Sequence, residues 1–464
     1  MTTTIVVGSN IRLEREVSHE LTNRLRGMLS WTNPAIGFKR SRGWWVSPKE
    51  DIDIKGYRLT EKYIYIPRGF LERLELMLKA AGIRYLIDDR RIWYKPTPYE
   101  NNIQLFAHQI RPVKNMLDYE EGILEAPCGS GKSVMALKMI CKWGQPTLVL
   151  AHTNAIIEQW QEYIEDFTGM KAGLILGGKF DVRKITIGSV MTLANRNIDI
   201  DFRRYFGVVI LDEAHHTPAY SFQTILSQFY ARHRLGITAT PRRSDGLQGL
   251  LNAVAGPVRT KVPQESLFIS GFAIRPTIYK VKTKFKIPES VENRDELLFS
   301  AIEDNVNRAI QIAEVAYARK HRSVLILSRR IAHLDHIYER LFDIDPGWTQ
   351  DHAKVLTGRI EKDERLHILN DLRKGRLNIV LATQLADEGL DIPRLDTLLL
   401  TFPSSSELKL EQQMGRPMRS FPGKKDVEVY DFVDHRVPRL VKQAQRRTAL
   451  YRRLRYPVVR YEAP

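Results

Sequence analysis

The chain alternates short, continuous apolar runs with stretches whose apolar residues recur at helical spacing. "TLVLAH" (147–152), "KITIGSV" (184–190), "FGVVILDEA" (206–214) and "RLGITATP" (234–241) read as strands. Between the first two lies "NAIIEQWQEYIEDF" (154–167), an amphipathic helix, and a further helical stretch falls at 220–230. Strands apolar on both faces and separated by helices predict a parallel sheet covered on both sides. The alternation lapses over 256–295, where Pro and Lys become frequent, which predicts a crossover segment and linker. It returns with "SVLILS" (323–328), a helix over 331–342, "KVLTG" (354–358), a helix over 361–374, "NIVLAT" (378–383), "TLLLTFP" (397–403) and "VEVYDFV" (427–433).

The first 98 residues are patterned differently. "GYRLTEKYIYIP" is strand-like, and in "RGFLERLELMLKAAG" Phe70, Leu71, Leu74, Met77 and Leu78 share one helical face, with Gly82 placed as a stop. The expected architecture is therefore α/β: two tandem parallel-sheet domains, 99–275 and 276–445, preceded by a small α+β module over 1–98. A basic C-terminal tail is expected over 446–464.

Lys and Arg number 71 against 54 Asp and Glu, a net charge of +17 that points to a polyanionic partner, most often nucleic acid. Two cysteines, Cys128 and Cys141, exclude a disulfide framework or a four-thiolate zinc site. No apolar run approaches the roughly 18 to 20 residues of a membrane span. The start has no basic segment followed by an apolar core, so no secretory signal and a cytoplasmic location are expected.

Within this frame, "APCGSGKS" has the form of a phosphate loop with Ala126 at its first position. Pro127, Cys128, Gly129, Ser130 and Gly131 would wrap backbone N–H groups around a polyphosphate; no chemistry is assigned to the Cys128 thiol. Lys132 can reach the β and γ phosphates, and the Ser133 hydroxyl can ligate Mg²⁺. "VVILDEAHH" (208–216) is an apolar strand ending in two carboxylates, at the sheet edge where α/β folds bind ligands. Asp212 would hold Mg²⁺ through a water and Glu213 would polarise the attacking water. In "GITATPRRSDG" (236–246), Thr238 and Thr240 can bond to the acidic motif and relay its state. "EQQMGRPMRS" (411–420) contributes Gln412, Gly415, Arg416 and Arg419, two arginines one helical turn apart that can face a γ-phosphate.

These motifs, with "LATQLADEGLDIP" (381–393), resemble in their order those of the superfamily 2 helicases and translocases, over roughly residues 100 to 435. The resemblance implies two RecA-like motor domains that bind ATP and Mg²⁺ between them and move along nucleic acid. It assigns Gln109 in "LFAHQIRP" to reading adenine, although Phe106 stands where an arginine is frequent. It places Gly389 and Asp391 at the nucleotide and His215 with the two threonines in coupling. Nucleic-acid contacts are implied for His152, Thr153, Ser189, Arg243, Ser328, Thr357, Gly358 and Thr383. The "DEAH" letters and "TATPRRSDG" look most similar to the DNA-directed group that includes XPB-, RecG- and phage UvsW-like helicases.

The function this implies is an ATP-dependent DNA helicase acting on single-stranded, duplex or branched DNA, as a monomer, in a bacterial or phage-infected cytoplasm. A duplex translocase, an RNA helicase and a non-enzymatic scaffold are the alternatives. The last is disfavoured because every expected catalytic residue is present. Two further contact regions are read from charge. "GFKRSRGWW" (37–45) mixes Lys39, Arg40 and Arg42 with Phe38, Trp44 and Trp45, either to grip DNA or as a hairpin with buried aromatics. The segment 436–460 holds nine Lys or Arg and no acid, suiting either DNA or a solvated helix packed on the second motor domain.

Overall fold

The computed structural model describes residues 2–41, 43–47, 53–213, 219–239, 246–287, 291, 294–383, 392–404 and 406–462. It divides into two compact units, Met1–Pro263 and Gln264–Pro464.

The first unit opens with a five-stranded sheet of β1 (Thr2–Val7), β2 (Ile11–Glu14), β3 (Arg58–Leu59), β4 (Tyr63–Ile66) and β5 (Arg84–Asp89), in the order β3-β4-β2-β1-β5. Alternation puts Ile5, Val7, Ile11, Leu13, Ile64 and Ile66 inside, against helices α1 (His19–Met28) and α2 (Leu71–Ala80). Leu74 and Leu78 of α2 are fully buried, as the helical spacing predicts.

An eight-stranded sheet follows, built from β6 (Glu121–Glu125), β7 (Thr147–Ala151), β8 (Gly173–Leu176), β9 (Lys179–Asp181), β10 (Ile185–Ser189), β11 (Val208–Asp212), β12 (His233–Thr238) and β13 (Val258–Lys261). Its order is β9-β8-β10-β7-β11-β12-β6-β13, and every pairing except β8 with β9 is parallel. Strands β7, β10, β11 and β12 are buried along their whole length, which explains the apolar runs of β7 and β11, while β12 buries His233 and Arg234 as well. Helices α3 (Ala107–Leu117), α4 (Lys132–Trp143) and α5 (Asn154–Thr168) matter most for the site.

The α+β module shares its core with this sheet instead of standing apart at residue 98. Ala253 belongs to the module's apolar cluster, and Trp31 packs against the cluster of the large sheet. Buried Arg68 bonds Glu121 at the start of β6, the Gly8 carbonyl at 3.2 Å and the Arg232 carbonyl at 3.1 Å. Arg234 reaches the Ser9 and Phe229 carbonyls at 2.7 Å each. A β-carbon on Gly69 would meet the Gly256 nitrogen at 2.4 Å, so the backbones touch where only glycine fits.

The second unit holds a seven-stranded, wholly parallel sheet of β14 (Pro276–Lys282), β15 (Val324–Ser328), β16 (Ala353–Leu356), β17 (Ile379–Thr383), β18 (Thr397–Leu400), β19 (Val427–Val433) and β20 (Val458–Arg460). The order is β16-β17-β15-β18-β19-β14-β20. Helices α6 (Val306–Tyr317), α7 (Ile331–Ile344), α8 (Glu407–Gly415) and α9 (Pro438–Arg453) surround it. Both large sheets are RecA-like in layering.

Three sequence expectations change. The linker expected over 256–295 contains β13 on the first sheet and β14 on the second, whose lysines sit on partly exposed positions. The division falls after Pro263 and not 275, because Ile274 N–H bonds the Met418 carbonyl at 2.7 Å and Ala273 bridges Arg419. The tail expected from 446 begins earlier, within α9. Leu440, Ala444, Leu450 and Tyr451 of that helix are buried, Arg447 is neutralised by Asp431 at 2.7 Å, and β20 extends the sheet.

Candidate functional site

Parallel strands end together at one edge, so residues far apart in sequence meet there. Strand β6 leads into the loop 126–131, and α4 begins at Lys132. Gly129 and Gly131 have φ of 76° and 78°, the left-handed conformation that lets successive N–H groups turn into one concavity. A β-carbon at Gly131 would be strained by its φ of 78° and would also lie 2.4 Å from the Gln109 amide nitrogen, so glycine is favoured there. Gln109 is buried; its amide donates to the Ser130 carbonyl at 2.9 Å and accepts from the Phe106 N–H at 3.0 Å. His108 meets the same Ser130 carbonyl at 3.2 Å. The Thr238 carbonyl, at the end of β12, accepts from Ala126 N–H at 3.0 Å and fixes the other flank.

Inside this cradle Lys132 is 8% exposed, with Nζ 3.3 Å from Glu213 Oε1. Burial works against its charge, but the Glu213 carboxylate, with Cys128 and Asp212 behind it, holds the ammonium above its ordinary value. Asp212 closes β11, 3% exposed, and its Oδ2 accepts from Ser133 Oγ at 3.3 Å and from the Trp160 indole N–H at 2.7 Å. Burial, then the adjacent Glu213 charge, pushes Asp212 up to about 6 against the opposing pull of Trp160 and Lys132. Glu213 has φ of 50°, a left-handed conformation that costs a residue with a β-carbon roughly 1 kcal/mol or more.

Two carboxylates face one ammonium, a local excess of negative charge. Oxygen ligands, a hydroxyl and a carboxylate raised by its neighbour suit a hard divalent cation, so Ser133 and Asp212 fit Mg²⁺. The glycine cradle and buried lysine fit the phosphates of ATP.

Other expected residues lie at matching strand ends. His152 and Thr153 follow β7, and Thr153 caps α5 by accepting from Ile156 N–H at 3.4 Å. Ser189 ends β10 and accepts from Thr192 N–H at 3.4 Å. In the second unit Ser328 ends β15, Thr357 and Gly358 follow β16, and Thr383 ends β17, on three adjacent strands. Ser328 is buried, its hydroxyl 2.9 Å from His333 Nδ1, and Thr357 Oγ1 accepts from Arg359 N–H at 3.3 Å.

Gln412 lies in α8, but the two arginines are not a turn apart on that helix. It ends at Gly415, Arg416 is its cap, and Pro417 turns the chain so that Arg419 bridges Ala273. Behind this turn Lys424 is a residue the sequence reading passed over. Its ammonium donates to the carbonyls of Pro393 at 3.0 Å, Leu395 at 2.5 Å, Arg419 at 2.7 Å and Pro417. Burial pushes it down to about 8, with Asp396 opposing.

Lys39 and Arg40 lie in the last turn of a helix, Pro34–Ser41, and not a hairpin; Trp44 and Trp45 are 56% and 77% exposed. Arg42, His215, Thr240, Arg243, Gly389 and Asp391 lie outside the described residues. Among the described residues no helix is long and apolar enough to cross a membrane.

Residues 102–243 match the family described as type III restriction enzyme, res subunit, and residues 306–421 the helicase conserved C-terminal domain. "Probable helicase D10" of Escherichia phage T5 is 27% identical over 82% of this chain and 82% of its own. A "DNA 3'-5' translocase XPB2" of Sulfurisphaera tokodaii is 26% identical over 81% and 90%. Among solved structures, S. cerevisiae Dbp5 bound to RNA and ADP BeF3 superposes with a TM-score of 0.55 at 14% identity, covering 77% of this chain and 90% of that one. Together the two family matches and the helicase-named relatives support a superfamily 2 helicase.

Proposed function

We propose that this protein is an ATP-dependent DNA helicase of the DEAH-lettered group, which unwinds or remodels duplex, forked or branched DNA. The carrying observation is the buried cluster at the end of β6 and β11, where Lys132, Ser133, Asp212 and Glu213 converge on the phosphate loop. Lys132 binds the β and γ phosphates, leaving its present partner Glu213 to orient the attacking water and draw its proton. Ser133 and Asp212 hold Mg²⁺, which supplies positive charge to the phosphates when bound. Gln412, Arg416 and Arg419 stabilise the charge that develops on the transferring phosphoryl group. The phosphate-facing residues at the strand ends grip DNA largely without regard to sequence, so binding falls steeply with salt.

The net charge of +17 supports a nucleic-acid partner, and a relative named as a DNA translocase is the ground for choosing DNA, although another of equal identity is named a putative RNA helicase. The test is steady-state ATP hydrolysis with single-stranded, duplex, forked and four-way-junction DNA and with RNA as activators. Strongest stimulation by forks or junctions is expected. Stronger stimulation by RNA would overturn the DNA assignment.

A further inference from the structure

Trp160 is fully buried in α5, yet its indole N–H donates to Asp212 Oδ2 at 2.7 Å, across 52 residues of chain. A phenylalanine would keep a smaller aromatic ring in the core without bringing a donor into it. A buried N–H left unpaired loses its hydration with nothing in return, so it must find an acceptor. Here it is committed to the metal-holding carboxylate, on the same oxygen that accepts from Ser133.

Helix α5 connects this bond to a second place. Its N-terminus is the corner after β7, where His152 and Thr153 lie and where the Thr153 hydroxyl caps the first turn. Trp160 sits about two turns, or roughly 10 Å, further along the same helix. Strand β7 also pairs with β11, Leu150 opposite Leu211, so the corner and Asp212 stand on neighbouring strands. A displacement of the corner therefore reaches Asp212 through a rigid helix and one hydrogen bond.

We propose that Trp160 is a positioning residue that couples nucleic-acid engagement at the 152–153 corner to the orientation of Asp212, and so to the rate of hydrolysis. The inference rests on the nucleic-acid-driven ATPase reading above. It identifies a physical link between the two activities that no motif letter carries.

The test compares wild-type protein with Trp160→Phe, a smaller aromatic side chain that lacks the donor. The stimulated rate divided by the basal rate is expected to fall about tenfold, the size of a typical coupling energy between sites. A packing role would lower thermal stability and both rates in parallel, leaving the ratio alone. The second measurement uses wild-type protein labelled with ¹⁵N-tryptophan, free of nucleotide and metal. The Trp160 indole resonance is expected to move when a single-stranded oligonucleotide is added. It is assigned by its loss in Trp160→Phe, or by removing the other six of the seven tryptophans one at a time if that variant does not fold.

An unchanged ratio, or an indole resonance that ignores the oligonucleotide, overturns the coupling while leaving the helicase reading intact. Wild-type hydrolysis with no nucleic-acid stimulation removes both.

Discussion

The two large sheets present their charged residues in different ways. In the first, all but Glu213 spring from regular elements: Lys132 and Ser133 from the first turn of α4, Asp212 from the last residue of β11. Their separations are set by strand spacing, and burial makes each charge depend on the next. In the second, Arg416 and Arg419 lie beyond the end of α8, on a turn that Lys424 ties to the approach to β18 through four backbone carbonyls. The first sheet carries chemistry on its framework. The second holds it on a loop anchored by the Lys424 ammonium and by backbone bonds to residues 272–274, so the two should respond differently to substitution.

Lys132→Ala tests the framework side and should have the largest effect. Removing the buried ammonium leaves Asp212 and Glu213 facing each other uncompensated and takes the phosphates' main cation. Hydrolysis should fall about a thousandfold or more, with DNA binding nearly retained. Normal turnover in this variant would refute the phosphate-loop assignment. Arg419→Ala tests the loop side. Its rate should drop about a hundredfold while the affinity for a non-hydrolysable ATP analogue changes little, since the charge it offsets develops in the transition state. A loss of affinity matching the loss of rate would make it a ground-state contact.

That contrast also explains what the sequence could reveal. The phosphate loop was legible because its demands are local: two glycines at φ near 77° and the Lys132–Ser133 pair all fall in five consecutive residues. The central strands were legible because burial on both faces leaves unbroken apolar runs. Trp160 was hidden, since its role depends on a residue 52 positions away and its setting looks like ordinary helix core. Lys424 was hidden for another reason: backbone carbonyls accept its bonds, and any residue type provides one. Strand β14, next to last in its sheet, is hard to see in the sequence because partial exposure admits lysines into it. Arg447 was read with its charged neighbours because one-dimensional charge does not show that Asp431 waits inside.

Lys424→Met sharpens the comparison. The apolar chain fills much of the same space, but the four carbonyls lose their common donor and the 416–419 turn is freed from residues 393–395. Misplacement of a catalytic group by a fraction of an ångström costs rate more than binding, so kcat should fall about tenfold at nearly constant KM for ATP. Because Lys132, Asp212 and Glu213 lie in the other unit, the affinity for ATP analogues should stay at the wild-type level. A raised KM with unchanged kcat would show that the turn serves nucleotide binding and not the transition state.

The smallest expected effect separates two roles within helix α9. Arg447 faces inward, where burial opposes the charge of Asp431 but the Arg447 guanidinium and Lys280 ammonium still hold its carboxyl below the ordinary range. Lys442, Arg446 and Arg452 face outward and form no ion pair among the described residues. If that outer face touches DNA phosphates, each residue releases about one counterion on binding. Arg446→Ala should then lower the slope of log affinity against log salt by about one, weaken binding uniformly across sequences, and leave the melting temperature almost unmoved. A solvated helix gives the opposite pattern, with slope and affinity both unchanged. Because the inner and outer arginines are adjacent in sequence, the measurement asks whether the face opposite the Arg447–Asp431 anchor is a contact surface or only a soluble one.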